Sequence, residues 1–329
     1  PSSNHLGRLY ARLARLSLAS AAASDMEATL DQQPSSIPAL DVVVEDLELA
    51  GKRLGRLELE ALNRDVAGVR EWRLSKLNLR LPEAQLNASG NWALIGSGMT
   101  SQRAPRRRTA LTFKLDVANS GELLKRFGQD QVITRGSGAM QGQIAWVGAP
   151  WALDPATLSG GFNLHIESGQ FLKADPGIAK LLGVLSLQSL PRRLALDFRD
   201  VFSEGFAFDF IRGDVKVEQG IATTNNLQMK GVSAAVLIEG TAHIPREMQD
   251  IKVVIVPELN AGTASLVATA INPAIGIGTF LAQLILRRPV IEAATQEFHI
   301  TGSWSDPKIE RVKRSMPTPP ASQPTTSTP

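Results

Sequence analysis

A period of two runs through most of this chain and constrains it more than any other feature. Leu40, Val42 and Val44 alternate with Asp41 and Val43, Leu57, Leu59 and Ala61 with Glu58 and Glu60, and Leu77, Leu79 and Leu81 with Asn78 and Arg80. The same spacing returns at Leu86-Ala88, Leu111-Phe113-Leu115, Phe162-Leu164-Ile166, Val215-Val217, Leu227-Met229, Val236-Ile238, Val253-Ile255 and Phe298-Ile300. Successive side chains of a strand point to opposite sides, so each run has one wet and one dry face. Turn-forming clusters such as Ala50-Gly51-Lys52 and Asn63-Arg64-Asp65 separate the runs, and Gly220, Gly231 and Gly240 recur where hairpin turns would fall. The expected fold class is mainly β and antiparallel, with a few short helices.

Three stretches carry helix signals, and one more breaks the pattern. Residues 5–24 place Leu6, Leu9, Leu13 and Leu16 at helical spacing with Arg8, Arg12 and Arg15 between them. That reads as a basic amphipathic helix, lying on an anionic membrane or packed on a neighbouring segment. Ser120–Gly128 starts with serine and stops with glycine, as a short helix does. In Asp175–Phe210 the first half reads as a helix over 175–190: Asp175 and Pro176 open it, Pro191 closes it, and Ile178, Leu181, Leu182 and Leu185 form a stripe. Its second half returns to alternation at Leu194-Leu196-Phe198 and Phe206-Phe208-Phe210. Residues 259–286 carry no charge, but Asn272-Pro273 divides them into halves too short to span a bilayer singly. A helical pair closing the sheet end, a segment dipping into a membrane interface and a spanning helix are the readings open there. Residues 316–329 are a Pro/Thr/Ser tail unable to build a core.

Composition removes most chemistry. The chain has no cysteine, so thiolate metal sites, disulfides and cysteine nucleophiles are excluded together. His5, His165, His243 and His299 stand apart with no metal-ligand spacing. The acidic residues Asp197, Asp200, Glu204, Asp209 and Asp214 fit a wet sheet face with turn aspartates better than a catalytic pair. Gly136–Gly142 lacks the Lys-Ser/Thr of a phosphate loop and reads as a glycine-bearing strand. The formal net charge is +3, and the basic stretch at Arg103 and Arg106–Arg108 has no interleaved aromatics, so nucleic acid is not the expected partner. No catalytic residue, metal or cofactor is assigned. The chain opens at Pro1 and is taken as a fragment, so any anchor or targeting segment would lie upstream.

The remaining argument concerns area. On the order of a dozen strands each present two to four apolar side chains, and only a few short helices are available to cover them. Leaving that surface in water costs about 25 cal/mol per Å², and exposed patches beyond roughly 600 Å² are rare in soluble monomers. Either the sheet folds back on itself as a sandwich or barrel, or something else, acyl chains among the candidates, covers it.

Particular segments narrow this choice. PGIAKLLGVLSLQSLPRRLALDFRDVFSEGFAFDFIRGD (Pro176–Asp214) closely resembles the C-terminal region of the YhdP family of AsmA-like proteins. So do the first strands from Pro38 with the glycine–leucine spacing of Gly51–Leu59, LLKRFG at Leu123–Gly128, VVIVPEL at Val253–Leu259 and TGSWSDPKIE at Thr301–Glu310. The resemblance implies a Gram-negative envelope protein, periplasmic and tethered to the inner membrane by an upstream segment, with its C-terminal end near the outer membrane. It implies a twisted, open sheet whose apolar groove shields phospholipid tails between the two membranes without covalent chemistry. On this reading 1–37 are an amphipathic helix and linker, 38–157 a β-groove segment with a helix at 120–128, and 158–315 a C-terminal β segment with helical insertions at 175–190 and 261–287. The groove would be lined by Leu111, Phe113, Leu115, Phe162, Leu164, Leu196, Phe198, Phe206, Phe208 and Phe210. Ile178, Leu181, Leu182, Leu185, Ile275, Ile277, Phe280, Leu281, Leu284 and Ile285 would cap it or touch a membrane. Expected partners are phospholipid, a membrane surface and an envelope protein. The competing reading is a scaffold or outer-membrane assembly factor that binds proteins and closes its apolar face internally.

Overall fold

A computed structural model describes residues 7–18, 37–66, 69–95, 106–129, 132–172, 206–231, 234–257, 274, 276–287 and 295–312. They form one long, open, twisted sheet of 14 strands in strict sequence order. The strands are β1 (Arg8–Leu18), β2 (Ala39–Leu49), β3 (Lys52–Val66), β4 (Val69–Arg80), β5 (Ala84–Leu94), β6 (Arg107–Val117) and β7 (Ile133–Val147). There follow β8 (Ser159–Phe171), β9 (Phe206–Glu218), β10 (Ile221–Gly231), β11 (Ala234–His243), β12 (Met248–Pro257), β13 (Gln296–Ser303) and β14 (Pro307–Arg311). Every neighbour pair is antiparallel except β1–β2, and β1 and β14 do not pair with each other, so the sheet closes into neither barrel nor sandwich. At ~4.8 Å per strand it extends roughly 60 Å across the strands. Pairing of β7 with β8 carries it unbroken past residue 157.

Local chemistry explains the tight hairpins. Ala50-Gly51 and Gln219-Gly220 hold both central residues at positive φ (49° and 75° in each), the turn whose twist matches the flanking strands. Of the other glycines expected at turns, Gly231 ends β10 at its short link to β11, whereas Gly240 lies inside β11.

Residues 8–18 correct the sequence reading: they are strand β1, not a helix. Leu9, Ala11 and Leu13 are also spaced by two, and a parallel ladder with β2 decides between the periods. Arg12 donates to Asp41 and Arg15 to Glu48, both at 2.7 Å, so the basic residues answer the acidic wet side of β2.

Two α-helices lie among the described residues. Helix α1 (Ser120–Arg126) is capped by Asn119, whose side chain accepts from Glu122 N, while Ser120 Oγ donates to Arg135 O at 2.6 Å. Arg126 ties α1 to the β4–β5 turn: its Nε and Nη2 donate to the buried Glu83 carboxylate, and Nη1 donates to Arg53 O at 2.7 Å. That pairing holds the Glu83 carboxyl below the usual carboxylate range although burial opposes it. Helix α2 (Gly276–Arg287) takes up the last part of the uncharged stretch and ends on Arg287, and no helix among the described residues is long and apolar enough to cross a membrane.

Candidate functional site

The register joins the separate alternations into one face. Cross-strand partners point to the same side, so pairing can be followed from strand to strand. Val42, Leu59, Leu77, Ala88, Phe113, Gly142, Phe162 and Val215 form one continuous rung from β2 to β9. Val44, Leu57, Leu79, Leu86, Leu115, Met140, Leu164 and Gly213 form the next, and Leu40, Ala61, Leu74, Gly90, Leu111, Ile144, Gly160 and Val217 a third. None of these side chains ionises. From Ile166 the same face continues through Ile211, Met229, Val236 and Ile255 toward the C-terminal edge.

Cover differs along this face. Over β3–β8 the rung side chains Leu57, Leu59, Leu77, Leu79, Leu86, Leu111, Phe113, Leu115, Phe162 and Leu164 are only half-buried. Helix α1 sits within this region, against β7 and the β4–β5 turn, and α2 contacts β10 and β11. At β11–β13 the face is deeply buried, with Val236, Ile255, Phe298 and Ile300 at most 6% exposed.

The opposite face is polar. Asn78, Asn87, Lys114, Gln141, Asn163 and Asp214 form a rung across it. Lys76 donates to Glu58 at 2.8 Å, holding that carboxyl below the usual range, while Glu58 in turn raises the Lys76 ammonium. His165 and His299 lie on this face beside Glu167 (3.1 Å) and Asp250 (2.6 Å), and Asp214 accepts from Asn163 and Asn226. Among the described residues no cluster of His, Asp or Glu could hold a metal ion.

The sequence-assigned lining residues that the structure describes separate into three groups. Leu111, Phe113, Leu115, Phe162 and Leu164 lie on the apolar face. Phe206 and Phe208 lie there too, packed with Ile166, Leu164 and Phe171, but they are 1% and 3% exposed and belong to a packed cluster, not to an open surface. Phe210 is a correction, because it faces the polar side, paired with Glu167 and Lys230, with the Arg212 guanidinium 4.2 Å from its ring. The cause is a β-bulge: β9 advances from Phe208 to Phe210 while β10 moves only from Gly231 to Lys230, and Ser168 opposite takes a φ of 53°. Leu196 and Phe198 lie outside the described residues. Leu57, Leu59, Leu77, Leu79, Leu86 and Met140, absent from the sequence-based set, line the face as fully as Phe113. Their alternation was the available signal.

The capping assignment also changes. Ile277 and Leu281 are 0% and 4% exposed against Ala235, Leu237, Val254 and Val256, with Phe280 beside them. Those sheet residues alternate with Val236 and Ile255, so α2 packs on the face opposite the groove and caps nothing on the apolar side. Strands β11 and β12 are therefore buried on both faces, which is why Ala234–Ile238 and Val253–Val256 are unbroken apolar runs. Ile178, Leu181, Leu182, Leu185 and Ile275 lie outside the described residues, as do the side chains of Leu284 and Ile285.

An open meander with one continuous apolar face, half-buried over much of β3–β8 and backed there by a polar reverse, is the architecture of this chain. The chain belongs to the YhdP family: the family profile described as YhdP protein matches residues 1–309. It is 30% identical over 232 residues, 70% of its length, to the intermembrane phospholipid transporter YhdP of Escherichia coli (strain K12). The match covers 18% of that relative, so the chain spans less than a fifth of its length. No solved structure matches the chain.

Proposed function

We propose that this chain is a section of an envelope lipid carrier, which holds phospholipid acyl chains on its apolar face and moves them between membranes without covalent chemistry. The observation that carries this reading is the run of three apolar rungs from β2 to β9, free of ionisable groups and with most of their leucine and phenylalanine side chains half-buried. Acyl chains laid along a rung would replace water over that surface at about 25 cal/mol per Å². The name of the Escherichia coli relative supports phospholipid as cargo. Movement is passive sliding, because neighbouring rungs offer equivalent apolar contacts and none binds a headgroup charge. On the same reading the chain lies in the periplasm, tethered to the inner membrane by an upstream segment, with its β14 end toward the outer membrane. A helical insertion at 175–190 and the boundary at 157/158 belong to this proposal.

Mass spectrometry of gently purified protein tests it. Co-purifying phospholipid in stoichiometric amount is expected. Lipid-free protein that instead retains an envelope protein on the apolar face would establish the scaffold reading.

A further inference from the structure

One row of the apolar face is not apolar throughout. Asn63, Trp72, Trp92, Thr109 and Trp146 are successive cross-strand partners from β3 to β7, one rung beyond Ala61, Leu74, Gly90, Leu111 and Ile144. Every member carries a hydrogen-bonding group on an otherwise hydrophobic side. Four of the five tryptophans gather at this rim, since Trp151 stands edge-on to Trp92 at 5.5 Å. The β6–β7 half of the row is satisfied: Thr109 Oγ1 donates to Gly148 O at 2.8 Å and Trp146 Nε1 to Ala149 O at 2.9 Å. The β3–β5 half is not. Trp72 and Trp92 are 5% and 4% exposed, yet among the described residues neither indole N–H has an acceptor and Asn63 Oδ1 has no donor. Asn63 Nδ2 donates to Ile37 O at 2.7 Å. One step further out, Arg107 sets its guanidinium 5.6 Å from the centre of the Trp92 ring.

A buried N–H without an acceptor is rare, and phenylalanine would fill these positions without that penalty. Indole combines an apolar body with a polar edge, which suits a boundary between hydrocarbon and headgroup. Guanidinium adds a planar donor set matched to phosphate.

We propose that the Trp72–Trp92 end of this row, flanked by Arg107, is a headgroup-docking subsite. Its donors would receive the ester and phosphate oxygens of a diacyl glycerophospholipid whose chains lie on the neighbouring apolar rungs. The turn holding Ala149, Trp151 and Ala152 packs over Trp92 and has to lift for the lipid to enter. This inference rests on the lipid-carrier reading and goes beyond it, because it fixes where along the strands the polar end of the lipid sits.

The test uses the full chain and two probes: dihexanoyl phosphatidylglycerol below its micellar concentration, and diphenylhexatriene, a hydrocarbon with no oxygen. Wild type is expected to bind both. The double variant Trp72→Phe/Trp92→Phe keeps the rings, removes both N–H groups, and is expected to bind the phospholipid about tenfold more weakly, for two hydrogen bonds worth a few-fold each. Its affinity for the hydrocarbon should be unchanged. Equal weakening for both probes, or none for either, overturns the subsite and leaves the groove standing. Failure of wild type to bind either probe overturns the groove itself. Inorganic phosphate binding as tightly as the lipid would reassign the row to a free anion and overturn the lipid assignment. Arg107→Gln, on a half-buried rim residue, provides the same comparison should the double variant not fold. Single Trp72→Phe and Trp92→Phe variants should melt no lower than Trp146→Phe, which loses a hydrogen bond already made; lower melting would show that the two N–H groups are partnered and overturn the proposal.

Discussion

Phe113→Asp is the sharpest probe of the groove. Phe113 sits at the middle of a rung, half-buried, between the small partners Ala88 and Gly142. A phenylalanine side chain presents roughly 150–250 Å² in all, and half-burial leaves about 60 Å² of that to an acyl chain from one side. At ~25 cal/mol per Å² its loss removes about 1.5 kcal/mol, roughly a 12-fold fall in occupancy at that rung, before the cost of desolvating a carboxylate. The fold should survive, because the new carboxylate can stay in water on a surface nothing described covers. Phe208→Asp would be a poor substitute: at 3% exposure among Ile166, Phe206 and Phe171, its truncation alone costs about 3–5 kcal/mol, much of a domain's total stability. Thr112→Asp, exposed on the polar face one residue away, is the matched control. Phospholipid per protein, measured by mass spectrometry after purification under identical conditions, should fall steeply in Phe113→Asp and stay at the wild-type value in Thr112→Asp. Equal lipid in the two variants, with both folded by circular dichroism, would refute the claim that the apolar face carries lipid.

Further predictions concern the supports of that face. Glu83→Gln should lower stability by about 2 kcal/mol at neutral pH, because it leaves Arg126 without its carboxylate while Arg126 keeps some exposure. Since the folded pKa of Glu83 is depressed, its contribution is complete above the ordinary glutamate value near ~4.3 and disappears as pH falls through the folded value. Urea unfolding of wild type and variant should therefore converge in acid, and a gap that persists there would contradict the ion-pair account. Ile277→Ala should cost about 2–4 kcal/mol and leave binding to anionic vesicles unchanged, since its side chain is buried on β11–β12; unchanged melting with weakened vesicle binding would restore the membrane-facing reading. Phe210→Ala should leave the lipid load at the wild-type value, and a loss matching that of Phe113→Ala would show that the bulge does not turn it away.

The alternation made the strands legible because a period of two has few rivals over long stretches. Where it had a rival, at Arg8–Leu18, the residues satisfied both periods. There the choice fell to a partner strand, which local sequence does not display. Phe206-Phe208-Phe210 shows the opposite failure. Its alternation is regular in sequence, yet one extra residue of β9 opposite β10 reverses the side on which the third ring lies. Bulges are set by the pairing between strands, so a single-strand pattern carries no trace of them. The orphan indoles could not be read either, since tryptophan in a dry-face position looks like core until the acceptors around it are known.

Counting strands against helices raised an uncovered face without saying where it lies, and the structure locates it by separating two regimes. At β11–β12 helix α2 takes one side and the other side is also buried, so apolar residues occur without alternation and the sheet behaves as a core. Over β3–β8 alternation prevails, broken at a bulge between Leu74 and Leu77, the reverse is polar, and most leucines and phenylalanines of the rungs remain half-buried. Alternation thus does more than mark a strand in this chain: it separates the half-buried middle of the face from the β11–β12 end, where both sides of the sheet are buried. Arguments about lipid therefore belong to Phe113, Leu115 and Phe162, and those about stability to Phe206, Phe208 and Ile277. The phenylalanine-rich stretch that most invited a lipid-contact reading is, over its described part, the packed end of the face and not its open middle.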